Sequence, residues 1–153
     1  MKKYFFICIS ILIMIIIFKF SSEDAGESSR RSGIILEFIQ RLSSKYLKED
    51  LLSYAVRKSA HFTMYFLLGS SLQLSFNDNA RSIPNKFIVL TIVFLYACSD
   101  ELHQSFIPGR SSEFGDVLID SAGGLASIFI GDILRKISET VYRDRVKNIL
   151  KGE

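Results

Sequence analysis

Cysteine is scarce in this chain, and several familiar signatures are missing altogether. Only Cys8 and Cys98 occur among 153 residues, and both lie in apolar runs. Two thiols so placed make neither a disulfide framework nor a zinc spacing, so they read as packing. There is no HExxH motif and no tight ligand pair elsewhere. Internal repeats and low-complexity tracts are missing too. Charge of one sign is in short supply: the net charge of +3 gives no reason to expect a nucleic-acid partner.

What the chain does have is hydrophobicity in blocks. "YFFICISILIMIIIF" (Tyr4 to Phe18) carries no charge. With Lys19 and Phe20 snorkelling at its end, it is just long enough to span a bilayer. Lys2 and Lys3 precede it as in a signal peptide, but "FKFSSEDAG" offers no small-x-small cleavage site, which favours an uncleaved membrane helix. Three further segments are apolar with a polar minority: 59–76, 87–104 and 116–134. Each has about the 17–25 residues a spanning helix needs. Soluble core helices are the alternative. The expected fold is therefore all-α, a polytopic bundle of four transmembrane helices (about 4–20, 59–76, 87–104 and 116–134) in one membrane domain over 1–153.

The connections read simply. Breakers in 77–86 make a short turn, and 105–115 is a second connection centred on Pro108-Gly109. The segment 21–58 begins as a Ser/Glu-rich linker, "SSEDAGESSRRSG". Helical spacing follows, through Ile34, Ile35, Phe38 and Leu42 and then Leu47, Leu51, Leu52 and Ala55. That spacing suits amphipathic helices on the membrane surface. The tail 135–153 mixes Ile137, Val141, Val146 and Ile149 with Lys and Arg, and is expected to be a basic interfacial helix. The 19 Lys and Arg split ten against nine between the two sides of such a bundle, so their number does not orient it. Lys2-Lys3 and the basic tail favour both termini inside, with 21–58 outside, because the first helix usually dominates.

Alternate ends of successive helices share a membrane face. His61 at the start of the second helix, Asp100, Glu101 and His103 at the end of the third, and Asp116 and Asp120 at the start of the fourth therefore gather at one end of the bundle. Asp100 and His103 are i,i+3, and Asp116 and Asp120 are i,i+4. A small-residue stripe, Gly123, Ser127 and Gly131, continues below the latter pair and lets another helix approach closely. Asp116 and Asp120 should thus point into the bundle, where ionisable groups are costly and tend to mark function. A histidine beside a carboxylate is held in one tautomer and moves protons near neutral pH. Two His with several Asp and Glu are also donors a divalent metal takes, but the sequence alone assigns neither metal nor cofactor. Arg110, on a Pro-Gly turn, has the planar fork suited to phosphate or carboxylate, and Arg57 and Lys58 are placed to help. The bland readings are snorkelling flanks for Arg57 and Lys58, a solvated helix end for Asp100 and Glu101, and an N-cap for Asp116.

The stretches "RKSAHFTMYFLLG" (57–69) and "YACSDELHQSFIPGRSSEFGDVLIDSAGG" (96–124) resemble the VanZ-like family of small bacterial membrane proteins. That family's pattern is Arg-Lys, then a His followed by Glu-Tyr, then Asp-Glu-x-x-Gln, a Pro-Gly-Arg turn and Asp-x-x-x-Asp. The chain agrees at Lys58, His61, Tyr65, Asp100, Glu101, His103, Gln104, Pro108, Gly109, Arg110, Asp116 and Asp120. It departs at Met64, where the family usually has glutamate, and so lacks one proton-transfer group. The resemblance covers the second to fourth helices. It implies a multi-pass protein of the bacterial plasma membrane and cell envelope, and a link to resistance against the glycopeptide teicoplanin.

Three functional readings follow. In the first, a membrane-embedded enzyme uses His61, Asp100, Glu101 and His103 for acid-base work. Lys58, Gln104, Arg110, Asp116 and Asp120 then hold the substrate or orient the histidines. Besides membrane lipids, the partner is a lipid-linked envelope precursor or a lipoglycopeptide. In the second, the same face only binds such a molecule. In the third, the polar cluster merely locks the helices together.

Overall fold

A computed structural model describes residues 2–42, 49–76, 82–110 and 112–151. Among them five helices form: α1 (Lys2–Ser21), α2 (Ala25–Leu42), α3 (Glu49–Ser75), α4 (Ile83–Gln104) and α5 (Phe114–Lys151). The protein is all-α, as expected, with five helices among the described residues. Three of them, α1, α4 and α5, are long and apolar enough to cross a membrane.

The expected span at 59–76 lies in α3, which falls short of that apolarity. Its position explains why. α3 packs against all four other helices, so the polar residues toward its C-terminal end are covered by protein. Ser71, Gln73 and Ser75 are buried, and Gln73 donates to Ser127 Oγ at 3.3 Å. Hydropathy undervalues a central helix because its polar groups are satisfied inside.

The outer helices show the reverse pattern. Ile11, Leu12, Ile15 and Phe18 on α1, Phe87, Leu95 and Leu102 on α4, and Leu118, Leu125 and Phe129 on α5 are all exposed. Water tolerates contiguous apolar surface of this kind poorly, whereas lipid does not penalise it. The core beneath holds Tyr65, Leu68, Val89, Val93 and Ala97, together with Ile17, Val117 and Ile128.

The small-residue stripe sits at the α3–α5 contact. A Cβ on Gly123 would run into the Phe62 carbonyl oxygen, and one on Gly69 would meet Ser127 Oγ. These glycines let the two backbones approach closely, and that approach brings the polar start of α5 against the polar half of α3.

Two segments differ from the sequence reading. "SSEDAGESSRRSG" is not a linker: the break is confined to residues 22–24, and α2 starts at Ala25. Asp24 explains the early start. Its Oδ1 accepts the Glu27 backbone N–H at 2.8 Å, an N-terminal cap that favours helix over coil. Ion pairs from Arg31 to Glu23 and Arg30 to Glu27 add to it. The tail is likewise not separate, since α5 runs without interruption from Phe114 to Lys151. The amphipathic reading of 34–55 divides between α2 and the start of α3, and its residue Leu47 lies outside the described residues.

Candidate functional site

The chain folds its polar motif residues onto one end of the bundle, where α1 and α4 finish and α5 begins. On α3, Lys58 pairs with Asp116 of α5. One turn further along, His61 Nδ1 lies 3.5 Å from Oδ2 of Asp120. The i,i+3 spacing on α3 thus matches the i,i+4 spacing on α5, each cation facing one acid. Asp120 is wholly buried, and His61 is partly open.

From α4, Asp100 joins this pair. Donor atoms of His61, Asp100 and Asp120 all lie within 4.8 Å of one another. Asp100 is oriented from its own helix: Gln104 Nε2 donates to Asp100 Oδ2 at 3.3 Å. Gln104 also donates to Ser21 Oγ of α1 at 3.2 Å.

Arg110 closes the arrangement. Gly109, with φ of +76°, makes a turn that favours glycine and delivers the next residue inward. The guanidinium then donates three times. Nη1 reaches Gln104 Oε1, Nε reaches the Glu23 carbonyl, and Nη2 reaches the Phe20 carbonyl, each at 3.1 Å. Burial first, and then the like charge of Arg57, pull its pKa below the ordinary guanidinium value, while Asp100, Glu23 and Glu101 oppose the shift. A guanidinium keeps its proton regardless.

Two predicted site residues stand apart from this centre. His103 shares a turn with Asp100 in sequence, yet it turns to the end of α1, where Nε2 meets Ser22 Oγ at 3.0 Å. Its ring stacks on Phe18 with centroids 4.5 Å apart. Glu101 is buried, and its Oε2 accepts the Glu113 backbone N–H at 3.0 Å, which ties the loop before α5 to α4.

A cavity of about 500 Å³ opens beside the cluster. Its lining is of two kinds. Ile17, Phe20, Ile35 and Met64 are apolar, whereas the other side carries both signs of charge, Arg31, Arg57, Lys58 and Arg110 beside Glu23, Glu113 and Asp116, with His61 and Gln104. Met64, in the position where the family pattern has glutamate, makes that part of the wall apolar. Sequence reasoning missed Ser21, Glu23 and Arg31, because the segment holding them read as a linker. The Asp24-x-x-Glu27 spacing was the available signal for a helix start there. Tyr65, named only as a match to the family pattern, proves fully buried next to the acids.

The family profile described as VanZ/LLP1 matches residues 6–135. The chain belongs to the VanZ/LLP1 family. That match reaches further than the motif-bearing stretches and takes in α1 and α2. It is consistent with the geometry: both helices contribute lining to the cavity, and Phe20 of α1 and Glu23 of the break after it supply the carbonyls that Arg110 holds. No curated protein and no solved structure matches the chain. A VanZ/LLP1 membrane protein is what the fold and the match establish together; its chemistry has to be argued from the site.

Proposed function

We propose that this protein binds, and acts on, an amphiphile bearing an anionic head group, at the outer face of a bacterial plasma membrane. The observation that carries this reading is the two-sided lining of the cavity beside the cluster. Arg31, Arg57, Lys58 and Arg110 supply positive charge, of which Arg31 and Lys58 are paired with the lining acids Glu23 and Asp116, and Ile17, Phe20, Ile35 and Met64 supply an apolar wall. A phosphate or carboxylate head suits the former, and an acyl or prenyl chain suits the latter. A lipid-linked envelope precursor has that shape, and so does a lipid-tailed glycopeptide such as teicoplanin, the compound the family resemblance suggests.

His61 is the best-supported proton carrier. It lines the cavity on one side and faces buried Asp120 on the other. A carboxylate so placed fixes the imidazole tautomer and supports proton transfer near neutral pH. Hydrolysis or group transfer at the head group is the matching reaction class. In this reading α3 is a fourth span, screened from lipid by its neighbours, and both termini are cytoplasmic.

The purely structural reading also has an observation in its favour. Lys58 with Asp116, and Arg110 with the carbonyls of Phe20 and Glu23, tie elements of the bundle together. It leaves unexplained the buried oxygens of Asp100 and Asp120 that have no hydrogen-bond partner.

The test is teicoplanin susceptibility in a bacterial host expressing wild type, His61→Ala, Asp100→Asn, Asp120→Asn or Arg110→Gln at matched membrane levels. Protection by wild type and its loss in the variants support a working site. Well-inserted variants that protect as fully as wild type refute it. Binding of glycopeptides with and without a lipid tail to the purified protein then checks the amphiphile requirement.

A further inference from the structure

We infer that His61, Asp100 and Asp120 form a binding site for one divalent first-row transition-metal cation. Three elements deliver one ligand residue each: α3, α4 and α5. Asp100 and Asp120 are 3% and 0% exposed, so solvent does not satisfy them. Yet Asp100 Oδ1 and Asp120 Oδ1 have no hydrogen-bond partner, and Asp120 Oδ2 has only the 3.5 Å approach of His61 Nδ1. Buried polar atoms in proteins are nearly always paired, and a group of orphans converging on a histidine calls for a ligand.

The nearby cations do not fill that role. Lys58 is engaged with Asp116, and Arg110 with Gln104 and two main-chain carbonyls. Two carboxylates facing each other within a bundle repel strongly when both are ionised. A divalent cation offsets both charges while the imidazole stays neutral.

The donor set narrows the metal. One imidazole nitrogen with two carboxylates is the mixed N/O set that suits zinc, manganese or iron, whereas calcium and magnesium favour all-oxygen sites. Metal–ligand bonds of about 2.0–2.2 Å would draw the donors somewhat closer than they stand, within the reach of Asp side-chain rotation. An outer partner is already present. The Gln104 bond to Asp100 Oδ2 holds the carboxylate so that Oδ1 points away from it, as supports of metal ligands do. Because His61 also lines the cavity, a bound ion would sit where water or a head-group oxygen could complete its coordination. It rests on the proposed function for what approaches the ion and changes one role in it, since an imidazole that ligates an ion does not shuttle a proton.

The experiment uses the full chain purified in detergent, stripped with EDTA, and titrated with Mn²⁺ followed by electron paramagnetic resonance, or with Zn²⁺ by calorimetry. Expected is one ion per chain and a rise in Tm on loading. Asp100→Asn and Asp120→Asn should each weaken binding at least about 10-fold, the lower range for loss of even an outer-sphere partner. Lys86→Met, at the opposite end of the bundle, should bind like wild type. The inference is overturned if folded wild type takes up neither ion, or if both Asn variants bind as wild type does. Amphiphile binding by a chain that binds no metal overturns only this inference. Metal binding by a chain that ignores the amphiphile overturns only the proposed function.

Discussion

His61 and Asp120 face each other across the α3–α5 contact, Nδ1 to Oδ2 at 3.5 Å, with the carboxylate wholly buried. Such a pair is a poor way to gain stability, because the cost of desolvation rivals the attraction. The double variant His61→Leu/Asp120→Leu should therefore be as stable as wild type, or more so by about 1–4 kcal/mol, and inactive. Thermal unfolding in detergent, run beside the susceptibility assay, checks both halves. A large loss of stability would mark the pair as a structural lock.

Lys58 and Asp116 pair one turn nearer the helix ends, both largely buried. Removing one partner strands the other. Lys58→Met and Asp116→Leu should each cost about 1–3 kcal/mol. The double variant should cost less than the sum, because it leaves neither group unpaired. A double-mutant cycle on unfolding free energies measures that coupling.

Gly123 and Gly33 make a matched pair of opposite expectation. A Cβ on Gly123 meets the Phe62 carbonyl oxygen, which is backbone and has little room to shift, whereas one on Gly33 meets nothing within 4 Å. Gly123→Ala should destabilise by about 1–3 kcal/mol through overpacking. Gly33→Ala should stabilise by up to about 1 kcal/mol through helix propensity. Chemical denaturation of the two variants tests the sign of each.

Arg110→Lys keeps the charge but loses the fork. One ammonium cannot reproduce three directional bonds to Gln104, Glu23 and Phe20. Amide hydrogen exchange should speed up over residues 18–24 while the middle of α4 stays protected. Unchanged exchange there would mean that the guanidinium does not hold the end of α1.

The polar end of the bundle was legible because its residues obey simple periodicities. His61, Asp100 and Asp120 come together as hairpin topology requires, and the apolar blocks located α1, α4 and the start of α5 within a few residues. Two features escaped for identifiable reasons. α2 was hidden because Ser, Glu and Arg read as linker composition, while its start is decided by one cap, Asp24. The central place of α3 was hidden because its hydropathy records Gln73 and Ser71 as exposed, when partners on other helices satisfy them. His103 shows the limit of spacing arguments: i,i+3 puts it near Asp100 on a helical wheel, but stacking on Phe18 draws it to another neighbour.

Arg110 holds carbonyls of Phe20 and Glu23, residues that leave the ribosome long before it does. At roughly 5–20 residues per second, the α1 terminus waits several seconds or more for its latch. During that interval α1 can insert and pack on α3, but its C-terminal end lacks the guanidinium that holds it. The loop that carries Arg110 must emerge first, on the same side of the membrane as the end of α1. Assembly of the polar site is therefore a late event in biogenesis, and a chain stalled before residue 110 would carry its first helix in the bilayer without the means to finish the site.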